Sequence, residues 1–220
     1  MYGSLLQLGI CHVVPMMGPE EEICGQNFKT ATRKFDYKYN YKPDVSRQED
    51  ESQYFRNILD LASIKYKFRF EIFNEIVKDL SSTCLKTNCI NSSSKDVQKS
   101  TVEFFNAIFK DKCEIPEWMV VSENTAKHFI GKSLFCGNAE KVGVFRWANE
   151  EIPIIVSPEF EDNRILFGRK DCYVHAAYVP VTKGYPVIDP ETKLTSCSFY
   201  TRYSKKLISS KGIYILDFAT

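Results

Sequence analysis

Ile152–Tyr203 constrains the chain most, because several strand-like runs and their turns follow one another there without a break. Ile152–Pro158 (IPIIVSP) is an apolar run stopped by a proline, and the polar turn Glu161–Asp162–Asn163 leads from it into Arg164–Gly168 (RILFG). Cys172–Pro180 (CYVHAAYVP) follows, and period two places Cys172, Val174, Ala176 and Tyr178 on one face of a strand. A link punctuated by Gly and Pro, carrying Asp189–Pro190, precedes the alternating run Ser196–Tyr203 (SCSFYTRY). Short strands with turn residues between them and no room for crossover helices predict an antiparallel sheet. No nucleophile–base pair and no phosphate loop lies on it, so the block reads as a structural module.

A chain of 220 residues, 44% of them hydrophobic, can bury a core as one domain or two small ones. Twenty-nine basic against 28 acidic residues leave a net charge of +1, which argues against nucleic-acid affinity driven by overall charge. No segment approaches the ~20 apolar residues of a membrane helix. The start has no basic region, and His12 and Pro15 interrupt its apolar run, so a signal peptide is not expected. Without a secretory signal, the eight cysteines are expected as free thiols, small buried hydrophobes, and not as a disulfide framework. Cys84 and Cys89 have no second ligand pair to match them, and a strand puts Cys172 and His175 on opposite faces, so no metal or other cofactor is expected.

Taken in order, Leu5–Val14 is mostly apolar and ends in the turn Pro15–Pro19 (PMMGP), followed by the acidic cluster Glu20–Glu22. Phe35, Tyr37, Tyr39 and Tyr41 alternate with polar residues, which predicts a strand with one aromatic face. Ser46 and Glu49 have capping-box spacing before a short helix over about Gln48–Ala62. Ile64, Tyr66, Phe68 and Phe70 alternate again, and helical spacing takes over from Glu71 to Leu85. The reading is therefore strand, then helix, with the two aromatic strands pairing as a long ribbon that needs something to lie against. Asn88–Ser94 is expected as a loop, Lys95–Phe109 as a helix, Trp118–Val121 as a strand and Ser122 as the cap of the next helix. Gly131–Trp147 reads as loop and strand, and Ile213–Phe218 as the final strand.

Weighed for chemistry, the remaining constellations are bland. His12, His128 and His175 read as structural, although a cysteine-dependent hydrolase would need one of them against a thiol. Glu159, Glu161 and Asp162 form a turn that reads as solvated, and Lys205–Lys206 carries no signal. Lys65, Lys67 and Arg69, interleaved with aromatics, fit a neighbouring subunit's acidic surface as well as a single-stranded nucleic acid.

Four segments in order resemble the major capsid proteins of tailed bacteriophages, in particular the T-even-like group with the Hong-Kong-phage capsid fold. They are Gly9 with Pro15–Pro19, similar to a Pro-Met-x-Gly-Pro turn; Ile64–Phe70 running into the helix that ends at Asp79–Leu80; and Trp118–Phe129. The fourth is the series Gly168, Ala176–Pro180, Asp189–Pro190 and Thr201–Arg202–Tyr203. Only 14 residues precede Pro15, so the resemblance implies a compact or N-terminally shortened subunit.

The resemblance implies an α+β fold with an extended two-stranded loop, a spine helix and an antiparallel sheet. It divides the chain into a loop-and-spine (peripheral) part over 1–110, an axial part over 111–180 and return strands over 181–220. The implied function is a non-enzymatic major head-shell subunit enclosing a DNA genome, assembling with itself into hexamers and pentamers. Scaffold, portal or vertex proteins are further candidate partners, packaged DNA is touched only non-specifically, and no membrane is involved. The implied location is the virion capsid, with assembly in the host cytoplasm. Candidate interface residues are Tyr37, Tyr39, Tyr66, Phe68 and Phe70 on the ribbon, with Asp189, Thr201, Arg202 and Tyr203 from the motif series. The alternatives are an encapsulin-type compartment shell, a minor or vertex head protein and, last, the cysteine-dependent hydrolase.

Overall fold

The computed structural model describes residues 9–39, 67–84, 89–92, 96–110, 115–130, 141–185, 187–192 and 195–218, with Ala62. The first strands are β1 (His12–Pro15), β2 (Glu20–Ile23), β3 (Gln26–Lys29), β4 (Ala31–Tyr39), β5 (Cys89–Ser92) and β6 (Trp118–Val121). After them come β7 (Lys141–Trp147), β8 (Glu150–Val156), β9 (Arg164–Gly168), β10 (Tyr173–Lys183), β11 (Val187–Ile188), β12 (Thr195–Leu207) and β13 (Tyr214–Phe218). The helices are α1 (67–84), α2 (Val97–Phe109) and α3 (Glu123–Ile130). The chain forms two compact units, one of Met1–Tyr2, Pro15–Ile72 and Ala176–Ser204, the other of Gly3–Val14, Phe73–His175 and Lys205–Thr220.

The second unit is built on a six-stranded sheet in the order β5-β13-β9-β6-β8-β7. Its central strand β6, WMVV, is buried at every position, as a strand covered on both faces must be. Helix α2 starts where the Asp96 carboxylate accepts the Lys99 amide at 3.0 Å, and it buries Val97, Phe104, Phe105 and Phe109. Phe104 stacks on Phe167 at 5.3 Å and Phe105 meets Phe167 edge-on at 4.9 Å, so the helix packs on β9 through rings whose pairing adds roughly 0.5–1.5 kcal/mol each. Helix α3 is capped as its sequence predicts: Ser122 Oγ accepts the Thr125 amide at 3.1 Å. Gly168 faces Trp118 across the β6–β9 ladder, and a Cβ there would lie 2.1 Å from the indole ring. Only glycine lets that buried tryptophan approach so closely.

Most neighbours in this sheet are antiparallel, but β6 with β8 and β5 with β13 run parallel. Strand β5 lies within Asn88–Ser94, where the sequence predicted a loop. Cys89-Ile90-Asn91-Ser92 shows no apolar–polar alternation; the open edge of β13 supplies the hydrogen bonds that make it a strand.

The other unit contains the β2–β3 hairpin and most of a five-stranded sheet. The hairpin turns at Cys24 and Gly25, both with positive φ (53° and 71°), the conformation of a two-residue type I′ turn. Glu20 and Lys29 pair at 2.7 Å across it, so the acidic cluster Glu20–Glu22 is a strand of this hairpin. In the sheet, β12 runs between β4 on one edge and β10 with β11 on the other, and β1 flanks β10. Strands β10 and β12 belong to both units, changing over after His175 and Ser204.

Three further expectations are corrected. Residues 67–70 are helical, so the strand expected through Phe70 is absent there and α1 already includes Lys67. The deciding pattern is Phe68, Ile72, Ile76, Leu80 and Cys84, an unbroken i, i+4 series that is buried throughout and outweighs the alternation at Phe68 and Phe70. β4 pairs with β12, from Thr195↔Tyr39 to Tyr203↔Ala31, and the helical residues 67–70 give it no strand to pair with. Cys172 sits in the 3-10 turn Lys170–Cys172 ahead of β10 and is not a member of its face. The helix expected over Gln48–Ala62 lies outside the described residues apart from helical Ala62, as do Ile64, Tyr66 and Tyr41.

Candidate assembly surface

The motif series Pro15–Pro19, Ala176–Pro180 and Thr201–Tyr203 converges on one place in the first unit. The Met16 amide donates to Ala177 O at 2.8 Å, and Thr201 Oγ1 donates to Val179 O at 2.7 Å. Arg202 lays its guanidinium over the Tyr178 ring, 5.4 Å from the centroid, and donates from Nη2 to Thr30 Oγ1 at 3.2 Å. Thr30 in turn donates its amide and its hydroxyl to Pro19 O, at 2.9 and 3.0 Å. Tyr203 is buried, and its hydroxyl accepts from Arg33 Nε at 3.4 Å. These bonds of Thr201, Arg202 and Tyr203 lie within the chain and tie the Pro-Met turn to the sheet.

The remaining interface candidates are scattered. Tyr37 and Tyr39 stand in β4 opposite Cys197 and Thr195. Phe68 is buried on α1, Phe70 on the same helix is half-buried, and Tyr66 lies outside the described residues. Asp189 is exposed at the start of a turn, where Oδ1 accepts the Glu191 amide at 2.9 Å and Oδ2 accepts the Thr192 hydroxyl at 2.7 Å.

The feature that sequence patterning missed lies just ahead of Asp189: Tyr185, Val187 and Ile188 are 95%, 63% and 59% exposed. Tyr-Pro-Val-Ile-Asp-Pro has neither helical nor strand periodicity, and that was the available signal: apolar residues between two prolines with no face to bury.

In the second unit, two features read as bland hold the structure together. Lys205 Nζ lies 2.7 Å from Asp79 Oδ2 and 3.3 Å from Glu75 Oε2, and Tyr173 OH donates to the same Asp79 oxygen at 2.7 Å. Asp162, in the acidic turn, accepts from Ser122 Oγ at 2.6 Å and Asn124 Nδ2 at 3.0 Å, bonds that hold its carboxyl below the ordinary range. A cleft of about 460 Å³ runs between α1 and this turn, lined by Val77, Lys78, Phe160 and Arg164 among others. Arg164 is engaged by Asp217 at 3.0 Å and by Glu161, so its charge is already matched.

The thiols do not favour nucleophilic chemistry. Burial pushes Cys11 up to about 12 and Cys172 up to about 11, and it raises Cys197 as well, opposite to what an activated thiolate requires. Cys11, Cys24, Cys84, Cys172 and Cys197 are in no disulfide. His12 and His128 are exposed, whereas His175 is buried and held down to about 4, chiefly by desolvation. Among the described residues no three His, Cys, Asp or Glu side chains gather as metal ligands, and no helix is long and apolar enough to cross a membrane.

No protein-family profile and no curated protein matches the sequence. Solved structures do. A chain of Microbacterium phage Oxtober96 superposes with a TM-score of 0.60 at 9% identity, covering 98% of this chain and 91% of that one. The capsid of cyanophage P-SCSP1u gives 0.59 at 8% identity, covering 96% and 87%. The encapsulin complex of Synechococcus elongatus gives 0.53 at 10% identity, covering 99% and 88%. At such low identity the likeness is one of fold, and it extends over the whole chain: a mixed α+β architecture of the Hong-Kong-phage capsid type.

Proposed function

We propose that this protein is a self-assembling shell subunit, the major head protein of a tailed phage. The observation that carries the reading is the likeness of fold, over nearly the whole chain, to a phage capsid and to an encapsulin. The Arg202 contacts with Thr30 and Tyr178 and the Lys205–Asp79–Glu75 network stiffen the subunit, and no catalytic step is assigned to it. In this reading 1–110 forms the peripheral loop-and-spine part, 111–180 the axial part and 181–220 the return strands. The narrower T-even-like placement rests on the motif series from Pro15 to Tyr203. Partners are further copies in hexamers and pentamers, then scaffold, portal or vertex proteins; the site of action is the virion, reached by assembly in the host cytoplasm.

Negative-stain microscopy and light scattering of the purified full chain test this. Closed particles of uniform size are expected, and a monomer that persists at high concentration would refute it. A compartment shell is the second reading, favoured by the encapsulin likeness. Particles that take up a protein cargo in place of DNA would establish that one.

A further inference from the structure

We infer that the tip formed by Tyr185, Val187 and Ile188 is a contact between copies of this chain, the same tip meeting itself about a rotation axis. The inference rests on the shell reading and adds to it one surface and its occupant.

Three observations lead there. First, these residues are 95%, 63% and 59% exposed, against a background in which most large apolar side chains are buried. They expose on the order of 400 Å², within the range of the largest patch on an ordinary monomer. A stable two-body interface needs about 800 Å² per partner. The tip is therefore too small to hold a separate partner alone, and it fits a contact repeated in an assembly held together elsewhere.

Second, the tip can meet itself without electrostatic conflict. A contact close around a rotation axis brings each residue near its own copy, so any charge there lies near the same charge. Tyr185, Val187 and Ile188 are uncharged, and the Asp189 carboxylate behind them is engaged by the Glu191 amide and the Thr192 amide and hydroxyl.

Third, the backbone is available. Among the described residues β11 has one strand neighbour, β12, through Val187↔Ser196 and Ile188↔Thr195, and its other edge is unpaired by any described strand. Nucleic acid is disfavoured as the occupant because the three side chains bring no positive charge.

The test uses the full chain and two variants, Val187→Lys and Val187→Glu. Val187 is largely exposed, so both should fold, with circular dichroism as the control. Each variant alone places like charges against each other, and the assembled fraction by light scattering should fall about tenfold or more. Mixed in equal amounts, the two should assemble again, because opposite charges now meet. Single variants that assemble as well as wild type would overturn the tip contact and leave the shell reading standing. Loss without rescue on mixing would also overturn it, since the tip would then be meeting a different surface. A wild-type chain that never assembles would overturn the shell reading and the tip contact with it.

Discussion

Arg202 donates to Thr30 Oγ1 at 3.2 Å while its guanidinium covers the Tyr178 ring, so one side chain joins β12 and β10 to Thr30, which is itself bonded to Pro19 O of the Pro-Met turn. Arg202→Ala removes the ring contact and a hydrogen bond, a loss of about 1–2 kcal/mol. Arg202→Lys should recover little, because an ammonium has no planar face to lay on the tyrosine. Urea unfolding midpoints of the two variants check this; a lysine variant as stable as wild type would contradict it.

At Gly168 the relevant quantity is space. Gly168→Ala sets a methyl group 2.1 Å from the Trp118 ring, an overpacking cost of about 1–3 kcal/mol. Trp118 Nε1 has no hydrogen-bond partner among the described residues, so Trp118→Phe forfeits no bond there. The double variant should be less destabilised than the sum of the two singles, as expected of a direct contact in a double-mutant cycle. Strict additivity would mean that the clash is relieved elsewhere.

The start of α1 can be tested by three truncations. Phe68 is buried, Phe70 half-buried and Glu71 exposed. Phe68→Ala should cost roughly 3 kcal/mol or more, Phe70→Ala clearly less, and Glu71→Ala no more than about 0.5. Thermal melts distinguish this from a strand, in which Phe68 and Phe70 would share a face and cost alike. By the same burial, Phe68→Asp would act on folding before it could report on assembly.

His175 makes stability depend on pH. Its folded-state pKa is depressed from 6.5 to about 4, so the fold holds the neutral ring while the unfolded chain accepts a proton. This contribution is intact above pH 6.5, declines as pH falls and is gone once pH drops through the folded value of about 4. The total is about 3 kcal/mol, at roughly 1.4 kcal/mol per pH unit. Urea titrations across that window should show the decline, and His175→Gln should flatten it. An unchanged slope in the variant would assign the acid sensitivity to carboxylates.

Much of the architecture was legible in the chain because its signals are local. The apolar run Trp118–Val121, the Ser122 cap, the helix after Asp96 and the strands ending at Val156, Gly168 and Phe218 stand where their spacing puts them. The motif series was legible as wording alone; that its members meet through Arg202, Thr30 and Pro19 required the fold. Lys205 carried no signal because its carboxylate partners are far back along the chain, at Glu75 and Asp79.

Side-chain period and capping, read from neighbours a few residues apart, were enough to define most helices and strands and the apolar faces they bury. Tertiary structure decided which edges meet. It made a strand of Cys89–Ser92, gave β4 the partner β12 and left Tyr185, Val187 and Ile188 uncovered. The physical reason is that a ladder hydrogen bond joins backbone groups that every residue carries. No side-chain pattern announces the partner, and pairing follows from whichever edge the packed core leaves open.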